Sequence, residues 1–246
     1  MPKSVKPSPA GATGFERPFT LVDVVMLAVV NDLLHVLLVR RSALSTEPYP
    51  HYWALPGGFV DVDHDATLEA CARRKLKEKT GVASPYLEQL GSWGSKIRDP
   101  RGWSATHAYF ALIAADLAGS PTSGANAVDA QWIPLSGFGV KLALAFDHKD
   151  ILTVAIERLR GKVEYTSLPA FLLPKEFTLS ELQRTYEIVL DRKLDKSAFR
   201  TRVLSTELVV KVPRFRVGAN RPAQLYKLRS PTKPVVFQRT FKPAEG

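Results

Sequence analysis

From Phe19 to Arg41 the chain is almost unbrokenly apolar, as FTLVDVVMLAVV and then LLHVLLVRR, parted by Asn31-Asp32. Runs this rich in β-branched residues favour strands, and an Asn-Asp pair favours a turn, so the segment predicts a hairpin. Neither strand alternates apolar with polar, so both faces are expected to be covered. The period changes after residue 66. Leu68, Cys71, Ala72, Leu76 and Lys79 approximate 3.6-residue spacing over a helix from about Thr67 to Lys79, which Gly81 stops. Tyr86–Trp93 and Trp103–Ala115 read as strands joined by GSKIRDPRG, Ala130–Ile133 as a short strand, and Phe146–Arg160 as a helix with Gly161 just past its end. Strands interleaved with two helices predict an α/β sandwich, a mixed sheet between helices.

A second pattern follows. Thr178 and Glu181 have capping-box spacing ahead of Leu182, Tyr186 and Val189. Asp195 is placed to cap a further helix from Lys196 to about Thr206, with Phe199 and Val203 facing inward. Leu208–Val212 and Ala223–Leu228 read as strands flanking the basic turn RFRVGANRP. Helix, turn, helix and hairpin is the order of a winged helix-turn-helix. The division expected from the sequence is a tail over 1–18, a first domain over 19–160, a connector over 161–168, a winged helix over 169–230 and a second tail over 231–246.

Charge sharpens this division. Residues 1–160 carry 17 Lys and Arg against 16 Asp and Glu, whereas residues 161–246 carry 17 against 8. Nearly all of the net charge of +10 therefore lies in the last third. An acidic partner for that module is implied, most simply double-stranded DNA. Lys196, Ser197, Arg200 and Thr201 on the second helix, with Arg214, Arg216, Asn220 and Arg221 around the hairpin tip, are the candidate contacts. The longest apolar run, Val24–Val30, is far short of a membrane span. A single cysteine, Cys71, excludes an intrachain disulfide, and the polar N-terminus lacks the apolar core of a signal peptide, so a cytoplasmic setting is expected.

The candidate chemistry lies in WALPGGFVDVDHDATLEACARRKLKEKTGV, residues 53–82. Gly57 and Gly58 permit close backbone approach to a phosphate. On the helix that follows, positions 75, 78 and 79 share one face and hold Lys75, Glu78 and Lys79. The frame resembles the Nudix box, in which glutamates on this helix hold divalent metal. Arg74, Leu76, Glu78, Gly81 and Val82 match, while Lys75 and Lys79 stand where two of those glutamates belong. Two ammonium groups oppose a hard cation that wants oxygen ligands, but still attract a diphosphate. Glu78, with Asp61, Asp63 or Asp65 and also Glu69, keeps an alternative open in which Mg²⁺ is bound and hydrolysis survives.

The stretches ALPGGFVD (54–61), RRKLKEKTGV (73–82), RDPRG (98–102), AFDH (145–148) and LLPKEFTLSELQRTYEIVLDRKLDKSAFR (172–200) together resemble the NrtR family of Nudix-related transcriptional regulators. Two residues are added after the glycines, between Gly58 and Arg74. The resemblance implies a bacterial homodimeric repressor of NAD-metabolism genes. It would bind a palindromic operator and take ADP-ribose, or a related dinucleotide, as effector, with no cofactor required. Diphosphate recognition needs cations or backbone N–H groups, and an adenine favours an aromatic platform. The candidates are Arg40, Arg41, Lys75, Lys79, Arg98 and Arg101 for the diphosphate, and Trp53, Phe59, Trp93 and Trp103 for the base. The alternative reading is an Mg-dependent ADP-ribose pyrophosphatase with an appended winged helix.

Overall fold

The computed structural model describes residues 17–43, 47–81, 86–119, 121, 127–217 and 221–238. Most of the expected N-terminal tail lies outside them. Strands β1 (Phe19–Val30) and β2 (Leu33–Arg41) form the expected hairpin. Asn31 and Asp32 both take positive φ, 49° and 61°. That is the turn whose twist suits a two-residue hairpin. Short strands β3 (Trp53–Ala54) and β4 (Gly57–Phe59) precede helix α1 (Leu68–Thr80). Strands β5 (Tyr86–Ser95), β6 (Ser104–Ile113) and β7 (Ala127–Pro134) complete the sheet. Its path is β3-β2-β1-β6-β5, with β4 also on β1 and β7 also on β2. β1 and β6 are parallel and the other pairings antiparallel, so the sheet is mixed as expected.

The unbroken apolar pattern of β1 follows from the layers. Val22, Val24 and Met26 pack under α1 through Cys71, Ala72 and Leu76. Val25 and Leu27 face the opposite side, under helix α2 (His148–Val163). The sandwich is therefore built by one strand that is apolar on both faces. Two ends of α2 differ from expectation. The helix begins at His148, because Phe146 has φ 55° and Asp147 is the cap residue. It runs past Gly161, because Val163 is fully buried and its burial offsets the roughly 1 kcal/mol that a helical glycine costs.

The second module contains β8 (Phe177–Thr178), α3 (Leu179–Leu190), α4 (Lys196–Ser205), β9 (Val209–Arg216) and β10 (Ala223–Leu228). Thr178 and Glu181 form the capping box, and the Asp195 carboxylate accepts from the Ala198 N–H. The strand order β8-β10-β9 places a hairpin wing beside two helices. The two modules share one core: Ile156 and Leu159 of α2, Phe171 of the connecting turn, and Leu182 and Tyr186 of α3 belong to a single cluster. Tyr186 donates its hydroxyl hydrogen to the Thr166 carbonyl, 2.8 Å away.

Residues 231–238, expected as part of a tail, turn back on the protein. Ser167 N–H donates to the Val235 carbonyl at 2.9 Å, and Phe237 N–H to the Tyr165 carbonyl at 2.7 Å. Phe237 is buried in the shared core. An apolar ring with a core site available and backbone partners on both sides does not stay in water.

Candidate functional site

A cleft open to solvent is lined by the start of β1, the end of β2 and the glycine turn. Its floor is a buried charge network. The Arg98 guanidinium donates to both oxygens of Asp147, each at 2.8 Å, and lies 3.8 Å from Asp23. His148 accepts the Leu55 N–H on Nδ1 at 2.9 Å, which leaves the ring proton on Nε2, facing Asp23 at 3.5 Å. Burial works against the charge on Asp23, yet His148, Thr106 and Arg98 hold its carboxyl below the usual carboxylate value. Gly57 fits only because it has no side chain: a Cβ there would lie 1.9 Å from Oδ1 of Asp23.

Above this floor stand three cations. Arg41 pairs with Glu47 at 2.9 Å and lies over the Phe146 ring. Arg101 pairs with Asp99 at 2.8 Å, lies 3.7 Å from Glu47 and covers the Phe59 ring. Lys79 is buried in the wall, and that burial lowers its amine below the ordinary lysine value. Glu47 therefore sits between two guanidinium groups, a position suited to a phosphate oxygen.

Of the residues expected at the effector site, Arg41, Gly57, Gly58, Phe59, Lys79, Arg98 and Arg101 line the cleft. Arg98 is a buried partner of Asp147 rather than a free anchor. Lys75 reaches the rim, with Nζ 3.2 Å from where a Gly58 Cβ would be. Trp103 lines an adjoining groove with Phe19 and Arg101. Arg40 is exposed and outside the cleft lining, and Trp53 and Trp93 pack against the core under α2. An arginine at a strand end and a tryptophan beside a glycine turn look alike in sequence whichever way they face. Asp23, Glu47, Phe146 and His148 were not among the expected residues. Asp23 had a signal, as the single acid in an apolar strand, and Phe146 and His148 lie within the AFDH stretch.

The α1 face does not fit a divalent cation. Glu78 receives Arg74 at 2.9 Å and lies 3.8 Å from Lys75. Glu69 pairs with Arg73. Asp65 is clamped by Arg74, which holds its carboxyl far below the usual range. Asp61 accepts from the Asp63 N–H and contacts His64, so this loop satisfies itself. Asp61, Asp63 and Asp65 thus form a turn closed by Arg74, not a spare ligand set.

The second candidate site lies on α4. Lys196, Ser197 and Thr201 are exposed, and Arg200 is half-buried with Nη2 3.5 Å from the Ser180 hydroxyl. Phe199 and Val203 fill the core behind them. On the wing, Arg214 pairs with Glu176, and Arg216 pairs with Glu181 and also donates to the Glu176 carbonyl. Arg221 is exposed, and Asn220 lies outside the described residues. An outward basic helix flanked by a basic hairpin is the geometry that reads a major groove and steadies itself on phosphates.

Comparison with known proteins agrees with both halves. Residues 20–154 match the NUDIX domain, and residues 169–228 match the NrtR DNA-binding winged helix domain. The chain is 46% identical over 213 residues, 87% of its length and 83% of the relative's, to an ADPR responsive transcriptional repressor NtrR of Acinetobacter baylyi. It resembles Shewanella oneidensis NrtR complexed with a 27mer DNA at TM-score 0.79 and 37% identity, covering 91% of this chain and 99% of that one. The NUDIX domain of the same Shewanella protein complexed with ADP ribose matches at TM-score 0.53 and 40% identity, covering 59% of this chain and 90% of that one.

Proposed function

The chain belongs to the Nudix-related regulators that carry the NrtR winged helix domain, and from that footing we propose that it is an ADP-ribose-responsive repressor that binds double-stranded DNA. The observation that carries this reading is the pairing of a cationic, metal-unsuited Nudix cleft with an exposed basic helix and wing in one continuous core. The genes controlled are those of NAD metabolism, and the DNA-bound form is a symmetric homodimer. Two recognition helices about 34 Å apart would then read a palindrome in successive major grooves.

Each residue has a specific task in this reading. Arg41 and Arg101 take the diphosphate in place of Glu47, and Lys79 adds a third cation from the wall. Gly57 and Gly58 let the backbone approach the phosphates, and Phe59 offers an apolar ring beside Arg101. Arg98, Asp23 and His148 hold the floor rigid. On the DNA side, Lys196, Ser197, Arg200 and Thr201 face base edges, and Arg214, Arg216 and Arg221 face phosphates. The effector regulates only if it binds the DNA-competent and DNA-incompetent dimers unequally, and linkage makes that coupling reciprocal.

The test is binding to the duplex upstream of the protein's own gene against a shuffled duplex, at fixed salt, with and without ADP-ribose. Specific binding that ADP-ribose weakens is expected. Equal affinity for ADP-ribose with and without operator would remove the regulatory link. Mg²⁺-dependent release of AMP at an enzyme's rate would replace the reading with a hydrolase.

A further inference from the structure

The winged helix is joined to the first domain by more than the shared core. Residues 164–167 follow α2 and lead into the second module, and the returning segment 235–238 lies against them. The Ser167 N–H donates to the Val235 carbonyl at 2.9 Å, and the Phe237 N–H donates to the Tyr165 carbonyl at 2.7 Å. Between these bonds Thr166 and Val236 form an antiparallel bridge. The Val235 N–H also donates to the Ser167 hydroxyl, 2.8 Å away. From this anchorage Phe237 reaches into the core, and the Arg202 guanidinium of α4 lies over its ring at 5.9 Å. Tyr186 of α3 closes the circuit: its ring packs edge-on against Phe199 of α4 at 5.2 Å, and its hydroxyl donates to the Thr166 carbonyl at 2.8 Å.

We propose that residues 235–238 act as a strap that sets the angle of the recognition helix against the effector-binding domain, with Phe237 as a positioning residue for operator reading. The inference rests on the reading of the protein as a dimer that binds DNA. Apolar packing is non-directional, so a shared core holds two modules together without fixing the angle between them. Hydrogen bonds are directional, and the strap makes three of them to the connector while its ring touches the flank of α4. The strap is also separable from the winged helix itself, whose matched residues end at 228. The Asp195 cap and the buried Phe199 and Val203 belong to α4 alone. Phe237 therefore acts on where the recognition helix points, not on whether it forms. In a symmetric dimer, any drift of α4 against the first domain changes the separation of the two recognition helices, and that separation must match successive major grooves.

The experiment uses the duplex upstream of the protein's own gene once its two half-sites are mapped, the same duplex with one base pair inserted between the half-sites, and a shuffled duplex. Each is titrated at fixed salt against full-length wild type, F237A, F237L and S167A, and ADP-ribose affinity reports the integrity of the first domain. Wild type should prefer the mapped spacing by about tenfold, the cost of a displaced base contact. F237A should narrow that preference to about twofold, with its affinities for shuffled duplex and for ADP-ribose at the wild-type level. F237L keeps an apolar anchor and should retain most of the preference, while S167A, which loses the hydroxyl bond, should fall between. A wild-type preference in F237A overturns the strap and leaves the regulator reading standing. Equal weakening on all three duplexes in F237A also overturns it, because that is a loss of fold and not of angle. If F237A binds no ADP-ribose, S167A decides, and an unchanged spacing preference there overturns the strap. A wild type indifferent to spacing overturns it as well, and a wild type that does not distinguish the mapped duplex from the shuffled one overturns the regulator reading too.

Discussion

The cleft and the recognition face both depend on charge, but they hold it in opposite ways. In the cleft, Arg98, Asp23, Asp147 and His148 are packed around one another out of water. On the winged helix, Arg214 and Arg216 lean on Glu176 and Glu181 at the surface. Buried charges have few alternatives, so their geometry is set by the fold, and removing one strands the others. Surface charges are screened and exchange partners cheaply. The first arrangement suits a shaped pocket that must not collapse when empty. The second suits a face that must release its own carboxylates when phosphates arrive.

The largest expected effect tests the buried side of this contrast. Arg98→Ala leaves Asp147 and Asp23 facing each other without their shared cation. Removal of one partner from a buried pair costs about 3–5 kcal/mol. Chemical denaturation should show a loss of that order, with ADP-ribose binding abolished. A loss below about 1 kcal/mol would mean that the network is solvated and that the contrast fails. Because Asp23 has a depressed carboxyl value, its ionised form is stabilised by folding. That contribution is present above the ordinary carboxylate range and is lost as pH falls through the depressed value. His148 does most to lower the Asp23 value and Arg98 does least, so Arg98→Ala should leave most of this acid limb in place.

Lys79 lies between the two regimes, being buried but facing the cleft. Its amine value is lowered by burial, so an incoming diphosphate favours its charged form and takes up a proton at high pH. ADP-ribose affinity should then fall as pH rises through that lowered value, earlier than an exposed lysine would require. Lys79→Met should remove this limb and weaken binding by about 1.5–3 kcal/mol, the range for a hydrogen bond to a charged group. An unaltered pH profile in Lys79→Met would assign the diphosphate to Arg41 and Arg101 alone.

How much of this could be foreseen varies with the same contrast. The hairpin, the stop of α1, the caps of α3 and α4 and the winged-helix order follow from local chemistry: Asn31-Asp32, Gly81, Thr178 with Glu181, and Asp195. Lys75 and Lys79 on one helix face were legible too, because helical spacing alone puts them there. The floor of the cleft was not. Arg98 and Asp147 lie 49 residues apart, and His148 meets Leu55 across 93. No local pattern joins such residues, and Trp53 shows the converse, a residue next to the glycine turn that packs into the core. The anchoring of residues 235–238 is hidden for a similar reason: Val235-Val236-Phe237 is too short a run to show a helical or strand period, and the site that buries Phe237 is made by distant residues of α3, α4 and the connector.

On the recognition face, Arg200→Ala should weaken operator binding by about 1–3 kcal/mol and relax preference at one base pair, if Arg200 leaves Ser180 to reach a base edge. Competition assays with operators altered one position at a time would locate that pair. Uniform weakening across all sequences would make Arg200 a phosphate contact instead, and would move base reading to Ser197 and Thr201.

The smallest effect is the most diagnostic of a surface that exchanges partners. Glu176 holds Arg214, and it lies where the wing meets the start of α3. If phosphates take over Arg214, the pair must break on binding, and its energy counts against the complex. Exposed pairs contribute about 0–1 kcal/mol, so Glu176→Gln should tighten operator binding by no more than several-fold. The gain should be larger at low salt, where the Arg214–Glu176 attraction is least screened. Glu176→Gln with Arg214→Ala should lose that gain, since no cation remains to be released. Weaker binding in Glu176→Gln would reverse the argument: the carboxylate would then be aiming Arg214 at the duplex, and the wing would be as pre-organised as the cleft.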